Sequence, residues 1–66
     1  MNASQLQVLR QAERAKAVNQ PYRPSEAFVL ATNACVRDGF IDPRQTGGFT
    51  LNSDGERALA ASRQRA

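Results

Sequence analysis

The side chains of this chain best equipped for chemistry are cationic. Eight of its nine basic residues are arginine, set against six acids and no histidine, for a formal net charge of +3. A guanidinium holds phosphate through two parallel donors, a geometry that an ammonium cannot match. A small arginine-rich chain is therefore compatible with nucleic acid, although +3 is also an ordinary charge for solubility. The same inventory excludes much of catalysis. Without histidine there is no imidazole base near neutral pH, so Ser-His-Asp and Cys-His devices cannot be assembled. One cysteine, Cys35, cannot make a four-ligand zinc site. It falls on the side of its helix expected to be buried, where a thiol without a base or metal is inert. Gly47-Gly48 lacks the Gly-x-x-x-x-Gly-Lys frame of a phosphate loop. The acids Glu13, Glu26, Asp38, Asp42, Asp54 and Glu56 are mostly explained as caps and turns. No enzymatic activity, metal or cofactor is expected.

A chain of 66 residues makes one domain with a thin margin, burying about 60% of its unfolded surface. Its apolar share is 41%, but eleven of those residues are alanine. The larger ones suffice for one small core and leave little to spare for an internal ligand cavity of the usual ~300 Å³ or more. A homodimer would add the missing buried surface. A lone cysteine points to a reducing cytoplasm, because small secreted domains usually need disulfides. No apolar run approaches the ~18 residues of a membrane span, and the start, MNASQLQVLRQAER, does not read as a signal peptide.

The elements that must position these residues follow from periodicity and end signals. Residues 5–18 read as a helix capped by Ser4, with Leu6, Val8, Leu9, Ala12 and Ala15 on one side. Lys16 lies at the apolar edge, its stem along the core rim. Residues 19–24 (NQPYRP) break the helix, and Tyr22 is expected to pin this linker to the core. A second helix spans 25–38, opened by Ser25 and closed by Gly39, with Phe28, Val29, Ala31, Thr32, Cys35 and Val36 inward. Leu30 stands on its outer face, either as an isolated exposed leucine or as a partner contact. Phe40 and Ile41 start a short strand, 42–48 (DPRQTGG) turns, and 49–52 returns with Phe49 and Leu51 inward. Ser53 and Glu56 have capping-box spacing for a third helix running to about residue 62, with Ala58, Leu59 and Ser62 inward and 63–66 frayed. The expected fold is α+β, mostly α: three helices and a two-stranded hairpin in the order α-α-β-β-α.

The segment DGFID…GGFTLNSDGERALAA resembles the wing and following helix of bacterial winged-helix transcriptional regulators. Gly39, Phe40 and Ile41 match the close of the recognition helix in that family. Phe49, Leu51, Asn52, Gly55, Ala58 and Leu59 match the pattern after the wing. The resemblance covers about residues 25–61, with two departures: only NQPYRP stands where such domains have another helix, and Asn52 replaces the usual threonine. It implies a small DNA-binding, transcription-regulatory protein acting on double-stranded DNA. The helix over 25–38 would enter the major groove with Glu26, Asn33 and Arg37 on its outer side, where asparagine can pair with adenine and arginine with guanine. Glu26 suits the helix dipole but repels phosphate. Arg44 at the wing tip and Arg23 on the linker would meet phosphate or the minor groove. Arg10 with Arg14, and Arg57, Arg63 and Arg65 near the end, read equally as solvated helix faces. The rival reading is a protein-interaction module of the same shape without nucleic acid, since fold does not fix function.

Overall fold

The computed structural model describes residues 2–64, with the side chain of Gln64 left aside. Helix α1 (Ala3–Ala17) starts two residues earlier than the expected 5–18. Asn2, not Ser4, is the cap. Its Oδ1 accepts from the Gln5 amide at 2.8 Å, and Gln5 Oε1 accepts from the Asn2 amide at 3.1 Å. This reciprocal pair satisfies two orphan donors at once, which Ser4 alone cannot do. The inner face carries Gln5, Val8, Leu9 and Ala12, with Leu6 and Ala15 half-buried. Asn19 ends the helix in the left-handed region at φ 57°. The Gln20 amide reaches Ala15 O at 2.8 Å and the Asn19 amide Lys16 O at 3.0 Å, which occupies the terminal carbonyls.

The linker then runs as extended chain. Tyr22 pairs with Phe49 as an antiparallel bridge, with N–H···O bonds of 2.8 Å in both directions. Its ring is buried, and its hydroxyl lies 3.4 Å from Thr32 Oγ1. Removing only that hydroxyl, in Tyr22→Phe, is expected to lower stability by about 1 kcal/mol or less, read from the urea midpoint. The long bond goes, while the ring and the backbone bridge stay.

The second helix is not continuous over 25–38. Glu26–Phe28 form a 3-10 turn, and α2 proper is Val29–Arg37. Ser25 occupies the cap position without a side-chain bond, so the Phe28 amide closes a tighter i→i+3 bond to Ser25 O at 2.9 Å. Thr32 and Cys35 are buried, and Phe28, Ala31 and Val36 half-buried. Val29, expected inward, is exposed: in the phase of α2 it falls at the edge of the face that Thr32 and Cys35 bury. Gly39 at φ 83° terminates α2 as expected, with the Phe40 amide on Cys35 O at 3.0 Å.

Strands β1 (Ile41–Pro43) and β2 (Phe49–Leu51) pair antiparallel, Ile41 opposite Leu51 and Pro43 opposite Phe49. Phe40, expected in the strand, lies in the bend between α2 and β1 with its amide on Cys35 O, so the strand starts at Ile41. Gly48, at φ 74°, has the linker against it: a Cβ there would stand 2.7 Å from Pro21 Cβ and 2.9 Å from Tyr22 O.

Helix α3 (Ser53–Gln64) is capped by Asn52, one residue before the expected Ser53. Asn52 Oδ1 accepts from the Gly55 amide at 2.9 Å. Its Nδ2 donates to Gly39 O at 2.6 Å, which ties the end of α2 to the start of α3. Glu56 does not close a box. It accepts from Lys16 Nζ at 2.7 Å, and the same ammonium lies 3.4 Å from Leu51 O. Leu59 is buried, with Ala58 and Ser62 half-buried. The expected fraying does not begin at residue 63: Arg63 is helical and bonds to Glu13. Residues 65 and 66 lie outside the described residues.

The architecture is thus α+β and mostly α, three helices and a two-stranded hairpin in the order α-α-β-β-α. Its core is Val8, Leu9, Ala12, Tyr22, Cys35, Ile41, Leu51 and Leu59. Among the described residues no helix is long and apolar enough to cross a membrane.

Candidate functional site

The hairpin turn is built by Arg44, whose amide donates to Gly48 O at 3.0 Å and whose carbonyl accepts from Gly47 N at 3.1 Å. The Tyr22 bridge lays the linker along β2 and carries Arg23 onto that turn. A Cβ on Gly47 would stand 3.7 Å from an Arg23 guanidinium nitrogen, and one on Gly48 would stand 3.5 Å from Arg23 Cγ. The bare glycine backbone is thus the surface on which the Arg23 side chain rests. The exposed Arg23 is thereby brought to the turn that contains the exposed Arg44.

Their charge is uncompensated. Ion pairs among the described residues join Lys16 to Glu56, Arg37 to Asp38, Arg57 to Asp54 and Arg63 to Glu13. Neither Arg23 nor Arg44 has such a partner, nor do Arg10 and Arg14 on α1. Asp42, the acid closest in sequence to the turn, has Oδ2 3.4 Å from Asn52 Nδ2 on the side of the ribbon nearer α3.

The other three candidates lie elsewhere. Glu26, Asn33 and Arg37 follow the outer stripe of the second helix together with Leu30, and all four are exposed. Arg37 Nε is 3.7 Å from Asp38 Oδ1, a solvent-facing contact of little energetic weight. Asp38 also accepts from Gln5 Nε2 at 3.1 Å, which sets Arg37 beside the first turn of α1. The helix ends there, at the base of the hairpin, while Arg23 and Arg44 occupy its tip. The five residues therefore divide into a turn pair and a helix stripe.

One feature of the stripe went unread in the sequence. Between α2 and the first turn of α1 opens a shallow groove of about 340 Å³, with Ser4 and Gln5 on one wall and Ala27, Leu30, Ala31 and Ala34 on the other. Leu30 stands on its edge 83% exposed. The alanines at i, i+4 and i+7 from position 27 were the available signal, visible only once the helix phase was known.

Cys35 is fully buried, its Sγ 3.8 Å from Gln5 O. Burial pushes its thiol pKa up, and Asp38 adds to the rise. Such a thiol is a packing group and a poor nucleophile. Among the described residues no three acids or cysteines gather where a metal ion could be held. Comparison with known proteins finds no matching family model, and neither a curated protein nor a solved structure matches the chain.

Proposed function

We propose that this chain is a small DNA-binding protein of winged-helix type, probing duplex DNA with its hairpin turn and acting by occupancy. The observation that carries this reading is that Arg23 lies against the glycine backbone of the turn that contains Arg44, both exposed and, among the described residues, without a carboxylate partner. Two forked cations at a narrow tip suit phosphate oxygens and the electronegative minor groove. The order α-α-β-β-α, and the closure of the hairpin onto α3 through Asn52, support the winged-helix assignment. A transcription-regulatory role in a reducing cytoplasm accords with that type and with the free, buried Cys35.

The experiment is a fluorescence-anisotropy titration with duplex DNA across a salt series. Binding is expected at low salt, and log K should fall by about 0.9 per decade of salt for each phosphate neutralised. The double variant Arg23→Ala/Arg44→Ala should bind more weakly, with that slope reduced by about 2. Absence of binding at low salt, or an unchanged slope in the double variant, removes the proposal. The second reading, a protein-interaction module, is favoured by Leu30 above its alanine-lined groove. It predicts no DNA binding at any salt concentration.

A further inference from the structure

The outer stripe of the second helix is complementary to itself. Ala27 of the 3-10 turn and Leu30, Ala31 and Ala34 of α2 line one wall of the groove, and at i, i+3, i+4 and i+7 they bound a hollow like the hole that receives one side chain in knobs-into-holes packing. Three corners are alanine, so another helix axis can come close. The chain also carries the matching knob in the same place, Leu30, which is 83% exposed. We propose that this face binds a second copy of the chain, α2 packing antiparallel on α2 about a two-fold axis, each Leu30 seated in the hole of the other.

The charges select the second copy and its direction. With Leu30 opposite Ala31 and Ala27 opposite Ala34 of the second copy, Arg37 comes level with position 24 of that copy. Glu26 of the second copy, which opens the 3-10 turn, is then two residues away and within reach of an arginine side chain. Two-fold symmetry repeats this Glu26–Arg37 pair at the other end. A parallel arrangement would set Glu26 on Glu26 and Arg37 on Arg37. Among the described residues Glu26 has no ion pair, and Arg37 has only its exposed 3.7 Å contact with Asp38, so both are available. Polar Ser4 and Gln5 form the rim. This pairing does not depend on the DNA reading. It withdraws Asn33 and Arg37 from any groove-reading role and leaves nucleic acid to the paired turns.

The test is sedimentation equilibrium of the full chain without DNA, from low micromolar to millimolar concentration. The expected result is a monomer–dimer equilibrium. Leu30→Glu should weaken it about a hundredfold or more, because each of two leucines would lose its burial. At concentrations where the parent is monomeric, its circular dichroism and melting temperature should match the parent's, since Leu30 touches little within one subunit. Glu26→Arg and Arg37→Glu should each weaken the dimer, and the two together should restore it. A chain that stays monomeric throughout assigns the face to a different protein and overturns the proposal. So does a dimer indifferent to Leu30→Glu, or a double charge swap no better than its singles.

Discussion

Gly55→Ala is expected to lower stability by about 1–3 kcal/mol, a large share of what a chain of this length has. Inside a helix this exchange ordinarily gains up to about 1 kcal/mol. Here the sign reverses. Gly55 lies in the first turn of α3, buried against the end of α2 and against β2. An added Cβ would stand 2.5 Å from Leu51 Cδ1 and would overlap the Phe40 carbonyl oxygen. Neither neighbour can withdraw cheaply. Leu51 is a core residue, and Phe40 O accepts the Asn52 amide at 3.2 Å, one of the bonds holding the hairpin base together. Overpacking of this kind costs about 1–3 kcal/mol. A chain of this length has a total stability of only about 3–10 kcal/mol. Thermal melts by far-UV circular dichroism decide the matter: a melting temperature equal to or above that of the parent would show that α3 does not press on Phe40 and Leu51 as described.

The second large effect is expected at Asn52, where an exchange normally close to neutral should be costly. Asparagine and aspartate are about equally good helix caps. Asn52→Asp keeps the acceptor for the Gly55 amide. It removes the donor to Gly39 O, which lies 2.6 Å from Nδ2, and sets a carboxylate oxygen against that carbonyl. Asp42 Oδ2, 3.4 Å from the same nitrogen, adds repulsion between like charges. The expected loss is about 2 kcal/mol, comparable to Asn52→Ala, which loses cap and donor together. Urea denaturation of the three proteins checks this. An aspartate variant within a few tenths of a kcal/mol of the parent would mean that Asn52 is a cap and nothing more.

The helices and the hairpin were legible in the chain because their signals are local. The apolar spacing of Val8, Leu9 and Ala12, the glycine at 39 and the turn residues of 42–48 act within a few positions of themselves. The starting caps were misread for a related reason. Asn2 and Ser4, like Asn52 and Ser53, are neighbouring residues of similar cap strength. Local preference cannot choose between them. The choice falls to long-range demands: Gln5 reaches Asp38, Glu56 is drawn to Lys16, and Asn52 is held by Gly39. The 3-10 turn escaped notice because Ser25 looks like a good cap and yet makes no cap bond.

The candidate site was legible as a set of residue types and illegible as an arrangement. Arg23, Glu26, Asn33, Arg37 and Arg44 are all exposed, as helix phase and turn composition imply. Their division into a turn pair and a helix stripe rests on the bridge between Tyr22 and Phe49. NQPYRP reads as a helix breaker whose Tyr22 pins the linker to the core, as it does, but nothing in either segment names Phe49 as the partner of its backbone. The bridge forms because an extended linker leaves backbone donors and acceptors that β2 can satisfy, and because the Tyr22 ring fills space in the core.

By itself, the sequence determined the number, type and order of the elements and the poverty of groups for catalysis. Each of these depends on side-chain identity or on hydrogen bonds that close within one turn. Only the tertiary structure decided which cap was used, that Arg23 lies against the turn containing Arg44, and that Leu30 borders a groove lined by three alanines. Those outcomes depend on burial and pairing between residues far apart along the chain, where many partners satisfy the same local pattern and packing allows one.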